Sequence, residues 1–119
     1  MSYAEETFIE VWKKYGRGRI PHHQYPFSPQ RKFLADFAWP KQMLIVEIDG
    51  FGYGHGFTRG GGSKALRGHI ASLNKDHERQ NHAVELGWKV LRYTTTHLGS
   101  QEKQKQVCEQ ILSVLGIKN

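Results

Sequence analysis

The chain has 119 residues, 38% hydrophobic and 24% charged, with 17 Lys and Arg against 11 Asp and Glu, a formal charge of +6. That length suits a single domain, 1–119, around one core, and no apolar run nears the ~18 residues needed to cross a bilayer, which argues against a membrane partner. The lone cysteine, Cys108, excludes an intrachain disulfide and a thiolate zinc site, and the basic balance favours a polyanionic partner, nucleic acid first.

The opening stretch MSYAEETFIE is acidic and lacks the apolar segment of a secretory signal, so a cytoplasmic address is expected. From Tyr3 to Tyr15, Phe8, Val11, Trp12 and Tyr15 recur at helical spacing, with Gly16 and Gly18 as stop signals. Arg17 to Gln30 carries Pro21, Pro26 and Pro29 and predicts a loop or an edge strand. Lys32 to Trp39 and Met43 to Asp49 are rich in aromatic and branched residues and predict two adjacent strands joined by a turn at Pro40 and Lys41. Eight of the 13 glycines fall between Gly50 and Gly68, which predicts a loop shaped for a ligand. A helix is expected from Ile70 to Leu86, a buried strand from Trp88 to Tyr93, and a closing helix from Gln101 to Leu115. This order predicts an α/β sandwich with a central mixed sheet flanked by helices.

Residues two apart on a strand share a face. Glu47 and Asp49 are therefore expected opposite Leu44, Val46 and Ile48, and Asp36 opposite Phe33, Ala35 and Phe37. Three carboxylates on neighbouring strands can meet. Two like charges about 5 Å apart repel by roughly 3 kcal/mol at an effective dielectric of 20, so such a group calls for a cation. Mg²⁺, with Mn²⁺ as a substitute, is the natural one, because it is held by one or two carboxylates together with waters and phosphate oxygens. The alternative is that Glu47 and Asp49 form ordinary salt bridges with Arg or Lys, or are solvated on the exposed face of a two-layer sheet.

The run Asp36, Glu47-Ile48-Asp49-Gly50 and Gly87-Trp88-Lys89-Val90-Leu91-Arg92 resembles the PD-(D/E)XK nuclease superfamily, and within it the very-short-patch-repair (Vsr) endonucleases of bacteria and their phages. Asp76, Glu78, Arg79 and Asn81 look like a helix of that family. The resemblance implies a restriction-endonuclease-like fold, with Asp36 as the carboxylate on the first core strand and Glu47 as the second. Asp49 stands where the superfamily usually has a catalytic lysine, so it is expected to bind metal or water. The missing positive charge is then expected from Arg59, Lys64, Lys75, Arg79 or a second cation. Glu5 matches a helical acidic residue near the metal, although favouring the helix N-terminus would also explain it. His55 looks like the histidine-bearing segment of Vsr enzymes, where an imidazole acts as general base or binds phosphate. Phe51, Tyr53 and Phe57 are placed to stack on bases or to pack as a flap.

Gly60-Gly61-Gly62-Ser63-Lys64 lacks the P-loop order, and Asp76-His77 with Asn81-His82 lacks the spacing of an HNH site. His22, His23, His69 and His97 show no ligand spacing and are expected at the surface. The function expected is a Mg²⁺-dependent DNA endonuclease with Asp36, Glu47 and Asp49 on the metal, Glu5 and His55 assisting, and Arg31, Lys32, Arg59, Lys64, Arg67 and Arg79 along a DNA-facing rim. The alternatives are an inactive DNA-binding module of the same fold and a Holliday-junction-type resolvase, which would act as a homodimer.

Overall fold

The computed structural model describes residues 1–50 and 62–117, with side chains from residue 67 onward in the second stretch. His55 and Arg59, the aromatic residues Phe51, Tyr53 and Phe57, and the side chain of Lys64 lie outside the described residues. Helix α1 spans Tyr3–Tyr15, strand β1 His22–Pro26, β2 Leu34–Trp39, β3 Leu44–Asp49, helix α2 Gly62–Glu85, β4 Lys89–Thr94 and α3 Gln101–Val114. The sheet order is β1-β2-β3-β4. The first three strands run antiparallel, and β3 and β4 pair in parallel through the α2 crossover. The fold is α/β, a four-stranded mixed sheet flanked by helices.

Alternation on β3 divides two apolar layers. Leu44, Val46 and Ile48 join Phe8, Val11 and Trp12 of α1 and Val107, Ile111 and Leu112 of α3 on one face. Ile45 joins Ala35, Ala38, Ala83 of α2 and Trp88 on the other. The first layer is sealed at one end by a shared acceptor: Trp12 and Trp39 both donate their indole N–H to the Arg19 carbonyl, at 2.7 and 3.0 Å. Burial also pushes the Cys108 thiol up to about 11, which makes it a packing group rather than a nucleophile.

Two expectations change. Helix α2 begins at Gly62, well ahead of Ile70. Lys64, Ala65, Leu66 and Arg67 are all good helix formers, and together they outweigh the glycines before them. The turn after β2 is also longer than a tight hairpin: Pro40–Gln42 form a 3-10 turn, and Met43 takes a left-handed conformation with φ 53°. Pro21 and Pro29 of the 17–30 segment flank a true edge strand, β1, and Pro26 ends it, in keeping with one of the two readings offered for the segment.

Helices α2 and α3 end alike. Gly87, at φ +97°, donates to the Val84 carbonyl while Trp88 donates to Ala83. Gly116, at φ +85°, donates to Ser113 while Ile117 donates to Leu112. Both are Schellman closures, which need a residue free to adopt positive φ. The first turns the chain directly into β4, and so sets where Arg92 falls.

Candidate functional site

The β2–β3 ladder pairs Trp39 with Leu44, Ala38 with Ile45 and Phe37 with Val46, and there it stops. Beyond Phe37 the two strands exchange side chains for backbone. Asp36 N–H donates to Glu47 Oε2 at 2.7 Å, and Ile48 N–H donates to Asp36 Oδ2 at 3.0 Å. Each carboxylate therefore satisfies an amide that a continued ladder would have paired, and the two acids are fixed beside one another. The change also shows in the apolar layers: Ala35 lies with Ala38 on the α2 side, whereas Phe37 and Trp39 face α1. The simple alternation expected of 33–37 does not hold across this point.

Opposite stand two arginines. Arg79 of α2 places Nη2 at 2.6 Å from Glu47 Oε1 and 2.5 Å from Asp76 Oδ1. Arg92 of β4, in register with Glu47, holds both oxygens of Asp49 at 2.9 to 3.3 Å, Asp76 Oδ2 at 2.5 Å and Gln80 Oε1 at 2.9 Å. Asp76 thus joins the two guanidinium groups. Burial works against the charge of Arg92, but Asp49 and Asp76 more than offset it and raise its pKa.

Glu5 closes the group from α1. Ser2 Oγ donates to its Oε2 at 2.8 Å, Gln24 Nε2 to its Oε1 at 3.0 Å, and His23 Nε2 lies 2.6 Å from Oε1. Partial burial raises the Glu5 pKa, but the contacts with His23, Ser2 and Gln24 outweigh it and bring the carboxyl below its usual range.

Glu5, Asp36, Asp49, His69, Asp76 and Arg79 line an open cleft of about 500 Å³. Burial raises the pKa of Asp36 against the lowering effect of the Ile48 amide, and the charges of Glu5 and Asp49 raise it further. Glu47, 3% exposed, is pushed up to about 7, first by burial and then by Asp36, with Arg79 opposing. Among the described residues, five carboxylates share this region with two guanidinium groups. A larger recess, about 630 Å³ between β4 and α3, is lined by Tyr93, His97, Lys103 and Gln110 among others and has no carboxylate in its lining.

The structure therefore brings Glu5, Asp36, Glu47 and Asp49 together. Asp49 faces Arg92 with both oxygens and Glu47 Oε1 faces Arg79, the salt-bridge alternative weighed for both. Arg79, expected on the outer rim, lies inside the cleft. Arg31 stacks its guanidinium over the Phe33 ring at 4.4 Å, and Lys32 and Arg67 are exposed. Sequence reasoning gives no site role to Asp76, Arg92, His23 or Gln24, although Asp76 and Arg92 fall within the runs that carry the resemblance. The register of Glu47 with Arg92 is the signal for Arg92, but it becomes readable only once β3 and β4 are known to be parallel neighbours.

Among the described residues, no three Asp, Glu, His or Cys side chains form a ready-made metal-binding group, and no helix is long and apolar enough to cross a membrane. No family model, curated protein or solved structure matches the chain.

Proposed function

We propose that the protein is a Mg²⁺-dependent DNA endonuclease with a restriction-endonuclease-like core of the PD-(D/E)XK type, similar to the Vsr branch. One observation carries the reading: Asp36 and Glu47 are clasped together where the β2–β3 ladder opens, and Asp36 faces an open cleft. The residues fit a hydrated divalent cation. Asp36 Oδ1 accepts no hydrogen bond among the described residues, carboxylates outnumber guanidinium groups there, and the pKa values of Asp36 and Glu47, raised first by burial and then by neighbouring carboxylates, mark charges that a cation would stabilise. Two protein carboxylates suffice, because waters and phosphate oxygens complete a Mg²⁺ shell.

Asp36 and Glu47 would hold the cation, which supplies an activated water and charge neutralisation at the phosphodiester. Glu5, kept ionised by three polar neighbours, orients water at the cleft wall. Arg92 keeps Asp49 and Asp76 in place. The net charge of +6 favours a polyanionic substrate, and phosphate contacts set register without reading sequence.

A second reading, a DNA-binding module without catalysis, draws on one fact: Glu47 Oε1 and both oxygens of Asp49 already face arginines. Incubation with supercoiled plasmid and Mg²⁺ or Mn²⁺ separates the two. Cleavage is expected in the wild type and should fall at least ~100-fold in Asp36→Asn and in Glu47→Gln, because the lost charge stabilisation amounts to several kcal/mol. Cleavage that survives both substitutions excludes this site. Salt-sensitive duplex binding without cleavage by the wild type would select the binding module.

A further inference from the structure

The two arginines of the cleft are held differently. Arg92 is gripped on several sides, by both oxygens of Asp49, by Asp76 and by Gln80. Among the described residues, Arg79 pairs with Asp76 three residues back on its own helix and with Glu47 on β3, which is buried behind the cleft rather than lining it. Its side chain is 29% exposed and lines the cleft, so there is open space beside the guanidinium. Glu47, by contrast, is anchored by the Asp36 amide and almost fully buried. If the contact between them breaks, Arg79 is the partner that moves.

We propose that Arg79 is an exchangeable internal counter-ion, which holds Glu47 while no divalent cation is bound and, once one binds, turns into the cleft to meet a substrate phosphate while still tethered to Asp76. The proposal rests on the metal-dependent reading above and supplies the positive charge that Asp49 cannot provide. A cation at Asp36 and Glu47 competes with the guanidinium for Glu47 Oε1 and repels it, and its double charge wins at equal distance. Released, Arg79 presents a planar fork suited to phosphate. Of the four basic residues named for the role from sequence, Arg79 is the one the described structure brings to the carboxylates; Lys75 is exposed.

Calorimetric titration of the full chain with Mn²⁺, without DNA, tests this apart from activity. Arg79→Met removes the competitor, so it should bind Mn²⁺ at least tenfold more tightly than wild type while cleaving plasmid at least 100-fold more slowly at saturating Mn²⁺. Arg79→Lys should fall between. In the unsubstituted protein, the Arg79 Nε–H resonance should shift on adding Mg²⁺, which answers the question even if Arg79→Met does not fold. Unchanged or weaker Mn²⁺ binding by a folded Arg79→Met, or an unmoved resonance at saturating Mg²⁺, overturns the exchange. The parent reading has its own control: Mn²⁺ binding equally tight in Asp36→Asn overturns the metal site and the exchange together, whereas binding that needs Asp36 but ignores Arg79 overturns the exchange alone.

Discussion

The two faces of the sheet are built from different materials. Toward α1 and α3 the strands present large groups: Phe37 and Trp39 meet Phe8 and Trp12 in ring contacts of 4.8 and 5.2 Å, and Leu44, Val46 and Ile48 fill the layer around them. Toward α2 the inward residues of β2 are the alanines 35 and 38, which meet Ala83, Ile45, Phe27 and Trp88 in a smaller apolar layer, and the same face also carries Glu47, Asp49 and Arg92. Small side chains let α2 come close enough for Arg79 and Asp76 to reach the strands. One face thus supplies most of the apolar burial that holds the fold, and the other accepts desolvated charge that weakens it.

That division should be easiest to break from the apolar side. Phe37→Ala removes a fully buried ring from the centre of the larger layer and should lower unfolding stability by about 3–5 kcal/mol in urea titrations. A loss near 1 kcal/mol would mean that the layer closes over the gap and is less tightly packed than its ring contacts indicate.

The charged face should reveal itself through pH. Glu47 has a folded pKa near 7 against an ordinary 4.5, so the folded chain keeps a proton that the unfolded chain releases. This contribution to stability is complete below about pH 4.5 and fades as pH rises through 7, by ~3 kcal/mol if Glu47 acts alone. The raised pKa of Asp36 adds a change of the same sign. Urea midpoints should therefore fall between pH 5 and 8, Glu47→Gln should flatten the slope, and saturating Mg²⁺ at pH 8 should restore part of the loss. A rising midpoint over this range would contradict a carboxyl held protonated by burial at Glu47. The smallest effect belongs to Trp12→Phe, which keeps most of the ring packing and leaves the Arg19 carbonyl with Trp39 as donor. Circular dichroism melts should register about 1 kcal/mol.

Much of this was legible in the residues. Helical spacing gave α1 its bounds, and the branched run 44–49 gave β3 because its period of two puts Leu44, Val46 and Ile48 on one face and Glu47 with Asp49 on the other. That two neighbouring strands bring Asp36 and Glu47 near one another was legible, but not the break in the ladder that fixes them. The start of α2 was hidden by glycines, whose backbone freedom says little about a helix nucleated by the residues after them. The partners of the acids were hidden because they depend on register between distant segments: Arg92 lies 43 positions from Asp49, and His23 reaches Glu5 only once β1 has paired beside β2. Asp36 was predicted to alternate along a regular strand, yet its function in the fold is to replace the ladder where regularity ends.

The carbonyl of Arg19, shared by two indoles, has a practical consequence. Trp12 and Trp39 occupy one environment and Trp88 sits in the opposite layer, so single-tryptophan versions of the chain would give each layer its own fluorescence signal. Loosening of α1, the helix that delivers Glu5, could then be followed by emission separately from any loosening around α2.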